Sequence, residues 1–210
     1  MATRRRQHEL ERAFRAAGRL VAGVDEVGRG PLAGPVVACA VIMPPTARRI
    51  AGVDDSKKLK PAVRERLAGQ IRSGAVAWAL GAASVREIEQ LNILQATILA
   101  MRRALDRLVV RPEEVLVDGR PVPTLGYPHQ AIVGGDASCY SIACASILAK
   151  VTRDRLMQSL AERHPGYGWE TNVGYGAPVH LAGLREWGVT RHHRVGFLGR
   201  IVTGGGVGSS

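Results

Sequence analysis

The chain is short of cysteine, short of acid relative to base, and has no long apolar run. Its three cysteines, Cys39, Cys139 and Cys144, form an odd set without C-x-x-C spacing, each among small or apolar neighbours. They give no disulfide framework and read as buried, reduced thiols. No apolar stretch reaches bilayer length, and the start Met1-Ala2-Thr3-Arg4-Arg5-Arg6 lacks the hydrophobic core of a secretory signal. The expectation is a cytoplasmic protein with no membrane contact. Glu9 and Glu11 count against a transit peptide, which leaves the basic start as a solvated tail or a phosphate-contacting arm. Eighteen acidic residues face twenty-nine lysines and arginines, for a net charge of +11. Such a surface suits a polyanionic partner, although charge alone is equally compatible with a merely soluble basic protein.

What is present suffices for one folded unit. At 210 residues and 46% apolar content, the chain can bury a substantial core. Leu20 to Asp25 and Val36 to Met43 read as two strands joined by a glycine-rich turn. Pro61 opens a helix on which Val63, Leu67 and Ile71 recur every fourth residue. Ala75 to Gly81 returns as a strand. Ser84 and Glu87 form a capping box ahead of a stripe of Ile88, Leu91, Leu94, Ile98, Met101 and Leu105. Pro112 to Val117 and Ala131 to Val133 read as the last strands, and Asp136 opens a long helix of small residues, about 138 to 160. This mixture of hairpin and crossover connections predicts an α/β fold, a mixed sheet covered by helices. The expected division is a basic segment 1–16, a core 17–163, a C-terminal extension 164–202 and a disordered Gly/Ser tail 203–210.

Chemistry enters where strands end. Asp25 and Glu26 close an apolar run, Asp118 precedes Gly119, and Asp136 stands at a helix start, where the dipole favours its ionised form. Carboxylates are hard ligands suited to Mg²⁺ or Mn²⁺. In open α/β sheets such groups gather outside the strand ends. Two divalent ions there would offset carboxylate repulsion and stabilise the attacking and leaving oxygens of a phosphate. Taken singly, each acid is an ordinary cap or surface residue. Adjacent strand residues point to opposite faces, so Asp25 and Glu26 share a site only if the chain bends or one acts through its backbone carbonyl, and the following glycines are expected to supply the bend.

Three competing readings are set aside. Gly28-Arg29-Gly30-Pro31-Leu32-Ala33 formally fits a dinucleotide fingerprint, but Pro31, Gly34 and Pro35 interrupt the helix such a site requires. Asp154 lies eighteen residues beyond Asp136, about 27 Å along a continuous helix, and suits a structural ion pair with an arginine on the same or a neighbouring element. His180, His192 and His193 are softer ligands than a carboxylate-rich site selects, which argues against zinc. Lys57, Lys58, Lys150, Arg153, Arg191 and Arg194 are candidate phosphate contacts.

Asp25-Glu26-x-Gly-Arg-Gly-Pro-Leu-Ala-Gly-Pro, Asp55-Ser-Lys-Lys-Leu, Asp118-Gly119, Gly135-Asp136, Ser141-Ile-Ala-Cys-Ala-Ser-Ile-Leu-Ala-Lys-Val-Thr-Arg-Asp154 and Gly174-Tyr175-Gly176 together resemble bacterial ribonuclease HII. The resemblance runs from about Gly23 to Phe197. It implies a ribonuclease H-like mixed five-stranded sheet flanked by helices, with a small helical C-terminal extension. It also implies hydrolysis of the RNA strand of RNA/DNA hybrids and cutting 5′ of single ribonucleotides in duplex DNA, leaving 3′-hydroxyl and 5′-phosphate ends. By motif match, Asp25, Glu26, Asp118 and Asp136 are the catalytic, metal-binding carboxylates for Mg²⁺ or Mn²⁺. Gly28, Arg29 and Gly30 form the loop that reads the ribose 2′-hydroxyl, Tyr175 stands beside the RNA-to-DNA junction, and Lys57 and Lys58 contact substrate. The expected partners are hybrid and ribonucleotide-containing duplexes, bound by a monomer.

The chain departs from the family pattern at Gly134, where a lysine is usual, and at Ser138, Ala177, Val179 and Gly196. Two rivals stay in play: a basic nucleic-acid-binding module without catalysis, and a metal-dependent phosphomonoesterase.

Overall fold

The computed structural model describes residues 10–199; the first nine residues of the basic segment and the Gly/Ser tail lie outside them. Five strands form one sheet in the order β3-β2-β1-β4-β5. β1 (Val21–Val27) pairs antiparallel with β2 (Val36–Ile42), which pairs antiparallel with β3 (Ala77–Ala83). On its other side β1 runs parallel to β4 (Glu114–Asp118), and β4 parallel to β5 (Gln130–Ile132). The central strands are buried on both faces, hence their nearly unbroken apolar character.

Each face is closed by a helix. α1 (Pro61–Gly74) opens at its proline, as expected, and buries Leu67 and Ile71. α2 (Val85–Asp106) packs with Ile88, Ile98, Met101 and Leu105 against Ala22, Val24 and the Ala residues of β2. α3 (Tyr140–Arg163) covers the opposite face with Cys144, Ala145, Ile147 and Leu148, next to α1 and against Cys39 and Val41. Small residues on this helix allow very close approach to the sheet. A Cβ on Gly23 would stand 2.2 Å from the backbone carbon of Ser141, so only glycine fits β1 there.

The apolar stripe of α2 differs from the sequence reading in one respect. Ile88 and the residues from Ile98 onward are buried, but Leu91 and Leu94 are exposed. Asn92 interrupts the helix with φ 67° and ψ 164°, and its Oδ1 accepts the N–H groups of Leu94 and Gln95 at 3.0 and 3.1 Å. The side chain thus caps a second helical segment and resets the phase of the stripe. The capping box is formed: Ser84 Oγ accepts the Glu87 N–H, and Glu87 accepts the Ser84 N–H at 2.8 Å. The Arg103 guanidinium, 2.7 Å from Glu87, and these cap bonds bring its carboxyl down to about 2.

The long helix begins at Tyr140 rather than near 138, and Asp136 sits in a preceding 3-10 turn, Gly135–Ala137. Its start is capped from far away in the chain. Glu11, on a helical segment at residues 10–16 and 1% exposed, accepts the N–H groups of Tyr140 at 2.5 Å and Ser141 at 2.9 Å. A carboxylate here meets both the unpaired donors and the positive end of the helix dipole.

The C-terminal extension packs α4 (Trp169–Asn172), α5 (Pro178–Trp187) and α6 (Val195–Leu198) around Met157, Tyr167, Trp169 and Leu184. All three cysteines are buried and none is in a disulfide, and burial pushes the Cys144 thiol up to about 12. No helix among the described residues is long and apolar enough to cross a membrane. Replacing Glu11 with alanine is expected to lower the unfolding free energy by about 1–2 kcal/mol, read from the urea midpoint, because two buried N–H groups lose their acceptor.

Candidate active site

The four predicted carboxylates gather at one end of the sheet, at the carboxyl ends of the parallel pair β1 and β4. β1 does not bend between Asp25 and Glu26. Its register with β2 continues through Asp25↔Cys39, Glu26↔Ala38 and Val27↔Val37. The expected bend is therefore absent, and the two side chains leave opposite faces. Asp25 is hydrogen-bonded to Ser146 of α3. Glu26 lines a cavity of about 730 Å³ with Ile98 and Met101 of α2. Asp118, one strand over, lies close enough to raise the proton affinity of both. The acids converge around the strand terminus rather than within one face.

Their environments are stressed in one direction. Burial, then the charges of Glu26 and Asp118, holds the Asp25 carboxyl well above the usual range. Burial also raises Glu26, opposed by Arg29 at 3.3 Å. Burial and the Asp136 charge raise Asp118, whose Oδ1 accepts the Gly135 N–H at 2.6 Å. Asp136 lies in the 3-10 turn ahead of α3 rather than in that helix, and its partner is Lys57, with Nζ 3.2 Å from Oδ2. Burial alone would lower the Lys57 ammonium, but its bond to Asp136 and the nearby Asp55 and Asp25 carry it upward.

Among the described residues, no three His, Cys, Asp or Glu side chains already stand as a metal-ion cage. What stands instead is a crowd of hard oxygen donors that lacks countercharge. Among the described residues, Glu26 and Asp136 are the two of the four that form ion pairs, with Arg29 and Lys57 on largely solvent-exposed arms. Such a donor set fits a small divalent cation.

Beside the acids lies the glycine loop, held by two buried arginines that sequence reasoning placed among phosphate contacts. Arg153 and Arg194 are both 0% exposed. Arg194 donates to the carbonyls of Gly28, Arg29 and Gly34 at 2.6–2.9 Å. Arg153 donates to Ala33, Pro35 and Val173 at 2.9–3.0 Å. Burial pulls these guanidinium groups down to about 9 and about 10. Gly28 is obligatory: at φ +93° its Cβ would stand 2.2 Å from Arg153 Nε. The Tyr175 ring is half exposed, and its Cε1 would meet a Cβ on Gly30 at 3.6 Å. Gly28, Arg29, Gly30 and Tyr175 thus line one rim of the acid cluster.

The other basic candidates divide. Lys57 reaches the cluster. Lys58 turns to Asp54 at 3.3 Å and Lys150 to Asp154 at 2.7 Å. Asp154 also pairs with Arg64 of α1 at 3.5 Å, so it is the expected structural ion-pair residue.

Behind Tyr175 the histidines form a buried hydrogen-bond chain. Trp169 Nε1 donates to His180 Nε2 at 3.0 Å, which leaves the proton on Nδ1 to donate to the Tyr175 carbonyl at 2.8 Å. Thr190 N–H donates to His193 Nδ1 at 2.9 Å, which places the His193 proton on Nε2, 3.1 Å from the same His180 Nε2 that Trp169 bonds. Sequence reasoning rejected these residues as a zinc site but had no signal for their pairing.

Two outcomes follow from these buried groups. Arg194→Met leaves carbonyls of the glycine loop without donors, and a loss of about 3 kcal/mol in unfolding free energy is expected by urea denaturation. Burial lowers His193 from 6.5 to about 4. Between these values the unfolded chain binds more protons than the folded one, so stability is full above pH 6.5 and is lost as pH falls toward 4. The raised carboxyls act with the opposite sign. The expected result is therefore a steeper fall in Tm for the parent chain than for His193→Gln between pH 6.5 and 4.

Comparison with known proteins agrees with this architecture. A family model described as Ribonuclease HII matches residues 22–200. A ribonuclease HII from Granulibacter bethesdensis is 55% identical over 197 residues, covering 92% of this chain and 90% of the relative. Among solved structures, the ribonuclease H2 from Pyrococcus horikoshii OT3 is similar with a TM-score of 0.75 and 28% identity, over 87% of this chain and 97% of that one. The ribonuclease HII in a PCNA complex from Archaeoglobus fulgidus follows at 0.71 and 27%, over 84% and 94%. The fold, the strand-end acids and this match over nearly the whole length of the chain agree: it belongs to the ribonuclease HII family of endoribonucleases.

Proposed function

We propose that this endoribonuclease is divalent-metal-dependent, hydrolyses the RNA strand of RNA/DNA hybrids, and cuts 5′ of single ribonucleotides in duplex DNA to leave 3′-hydroxyl and 5′-phosphate ends. The observation that carries the reading is the convergence of Asp25, Glu26, Asp118 and Asp136 at the end of β1 and β4, three of them with raised proton affinity. Asp25, Asp118 and Asp136 would hold Mg²⁺ or Mn²⁺, with Glu26 supporting from the α2 face. Bound there, such ions supply an activated water and charge stabilisation of the departing 3′-oxygen.

The remaining work belongs to the chain's own groups. The 2′-hydroxyl distinguishes RNA from DNA at one nucleotide, and backbone N–H and C=O groups can both donate to it and accept from it. The loop Gly28-Arg29-Gly30 offers such groups at the rim of the acids. Its carbonyls at Gly28 and Arg29 are already taken up by Arg194, which fixes the loop in one conformation before substrate arrives. Pre-set geometry of this kind reduces the ordering cost of binding. The Tyr175 ring, packed beside Gly30 and anchored through its carbonyl by His180, offers a flat face for a sugar or base next to the selected nucleotide. Lys57 is free to leave Asp136 for a phosphate, since its side chain is 77% exposed.

A noncatalytic basic module does not account for buried acids that repel one another. A phosphomonoesterase has no use for a loop built to read a sugar hydroxyl. We further propose that the chain acts as a monomer in the cytoplasm.

Asp136→Asn is expected to abolish cleavage of a labelled duplex carrying one ribonucleotide while leaving hybrid binding within a few-fold of the parent chain. Sequencing-gel mapping with Mg²⁺ or Mn²⁺ should place the parent's cut 5′ of the ribonucleotide. Near-normal turnover of the variant, or release of inorganic phosphate from small esters, would sink the assignment.

A further inference from the structure

On the side of the acid cluster away from Tyr175, a second basic surface is built by the helical segment at residues 10–16 and the loop after β2. A cavity of about 540 Å³ is lined there by Arg12, Arg15, Ala16, Pro45, Thr46, Ala47 and Arg49. Arg15 is fixed in place: its guanidinium donates to the Pro44 carbonyl at 2.9 Å and to that of Ala47 at 3.3 Å. Arg15 and Arg49 both lie over the Tyr140 ring, 5.2 and 5.3 Å from its centroid. Tyr140 Oη in turn accepts the Ile50 N–H at 2.9 Å, which ties the loop to the start of α3. Among the described residues, none of these three arginines forms an ion pair with a carboxylate.

Position makes this groove more than a basic patch. Arg49 also lines an adjoining cavity of about 170 Å³ whose walls include Asp54, Ser138 and Asp136. One guanidinium is therefore the shared wall between the arginine groove and the acid cluster. Arg49 thus links the cavity that Asp136 lines to the one that Arg12 and Arg15 line.

We propose that Arg12, Arg15 and Arg49 form an auxiliary site for the phosphates of the duplex flanking the cut, reached from the catalytic cluster by way of Arg49. Three guanidinium groups lining one cavity suit phosphate oxygens, since a guanidinium offers paired donors and a charge that does not titrate. Contacts of this type strengthen binding without sequence preference and make it salt-dependent. An acidic protein would satisfy the same charges, but it gives no reason for the groove to open onto Asp136. The inference rests on the nucleic-acid reading above, so its test is binding rather than cleavage.

The experiment measures fluorescence anisotropy of a labelled 24-base-pair RNA/DNA hybrid and of an 8-base-pair one, without metal, over a salt series. The variants are the double Arg12→Gln/Arg49→Gln and the single Arg49→Lys, each checked for an unchanged thermal melt. For the double variant on the long duplex, the slope of log affinity against log salt should become less steep by about 1.8, at about 0.9 per lost phosphate contact. Affinity at low salt should fall about tenfold, with a smaller change on the short duplex. Arg49→Lys keeps the charge and should keep the parent's slope. An unchanged slope in the double variant overturns the site, as does an equal loss on both duplexes. Failure of the parent chain to bind either duplex overturns this site and the nucleic-acid reading together, whereas binding without cleavage on adding Mg²⁺ leaves the groove standing and removes only the catalytic reading.

Discussion

Charge repulsion among carboxylates that the fold refuses to separate is the constraint on which the rest of this structure depends. Asp25 is 5% exposed and Asp136 8%, and neither has a buried cation of its own. Left to themselves such groups move apart, take protons or reach for water. They cannot move apart here, because β1 is locked between β2 and β4 and pinned to α3 at Gly23. On the proposed reading a cation would relieve this tension between fixed backbone and repelling side chains, and the oxygen donors favour a hard one.

The supports of the site are spread over the whole chain. Glu11 caps the helix that follows Asp136 from 129 residues away. Arg194, from the C-terminal extension, reaches back to carbonyls at Gly28, Arg29 and Gly34. The extension is thus bonded directly to the glycine loop after β1, and Tyr175 and the His180–His193 pair belong to the same bonded unit. Loop and ring are thereby held in one bonded arrangement, which on the proposed reading suits recognition of a single hydroxyl group.

Features whose cause is local were readable from sequence: the capping box at Ser84 and Glu87, the proline start of α1, the apolar runs of β1 and β2, and the acids where β1 and β4 end. The motifs carried the family as well. Features whose cause is distant were not. Arg153 and Arg194 show charge in the sequence but not burial, and so looked like surface contacts. Asn92 sits in an otherwise periodic stripe, and nothing local announces that its side chain caps a new segment. Glu11 finds its partners only once the chain is folded, and the 3-10 turn at Asp136 is set by the Asp118 bond to Gly135 rather than by helix propensity.

The most direct test of the central claim is an NMR titration of the carboxyl carbons of Asp25, Glu26 and Asp118 with and without Mg²⁺. In the metal-free protein all three are expected to titrate above their ordinary values and to move down together when Mg²⁺ is added. Carboxyls that start at ordinary values, or that do not respond to the ion, would contradict the claim.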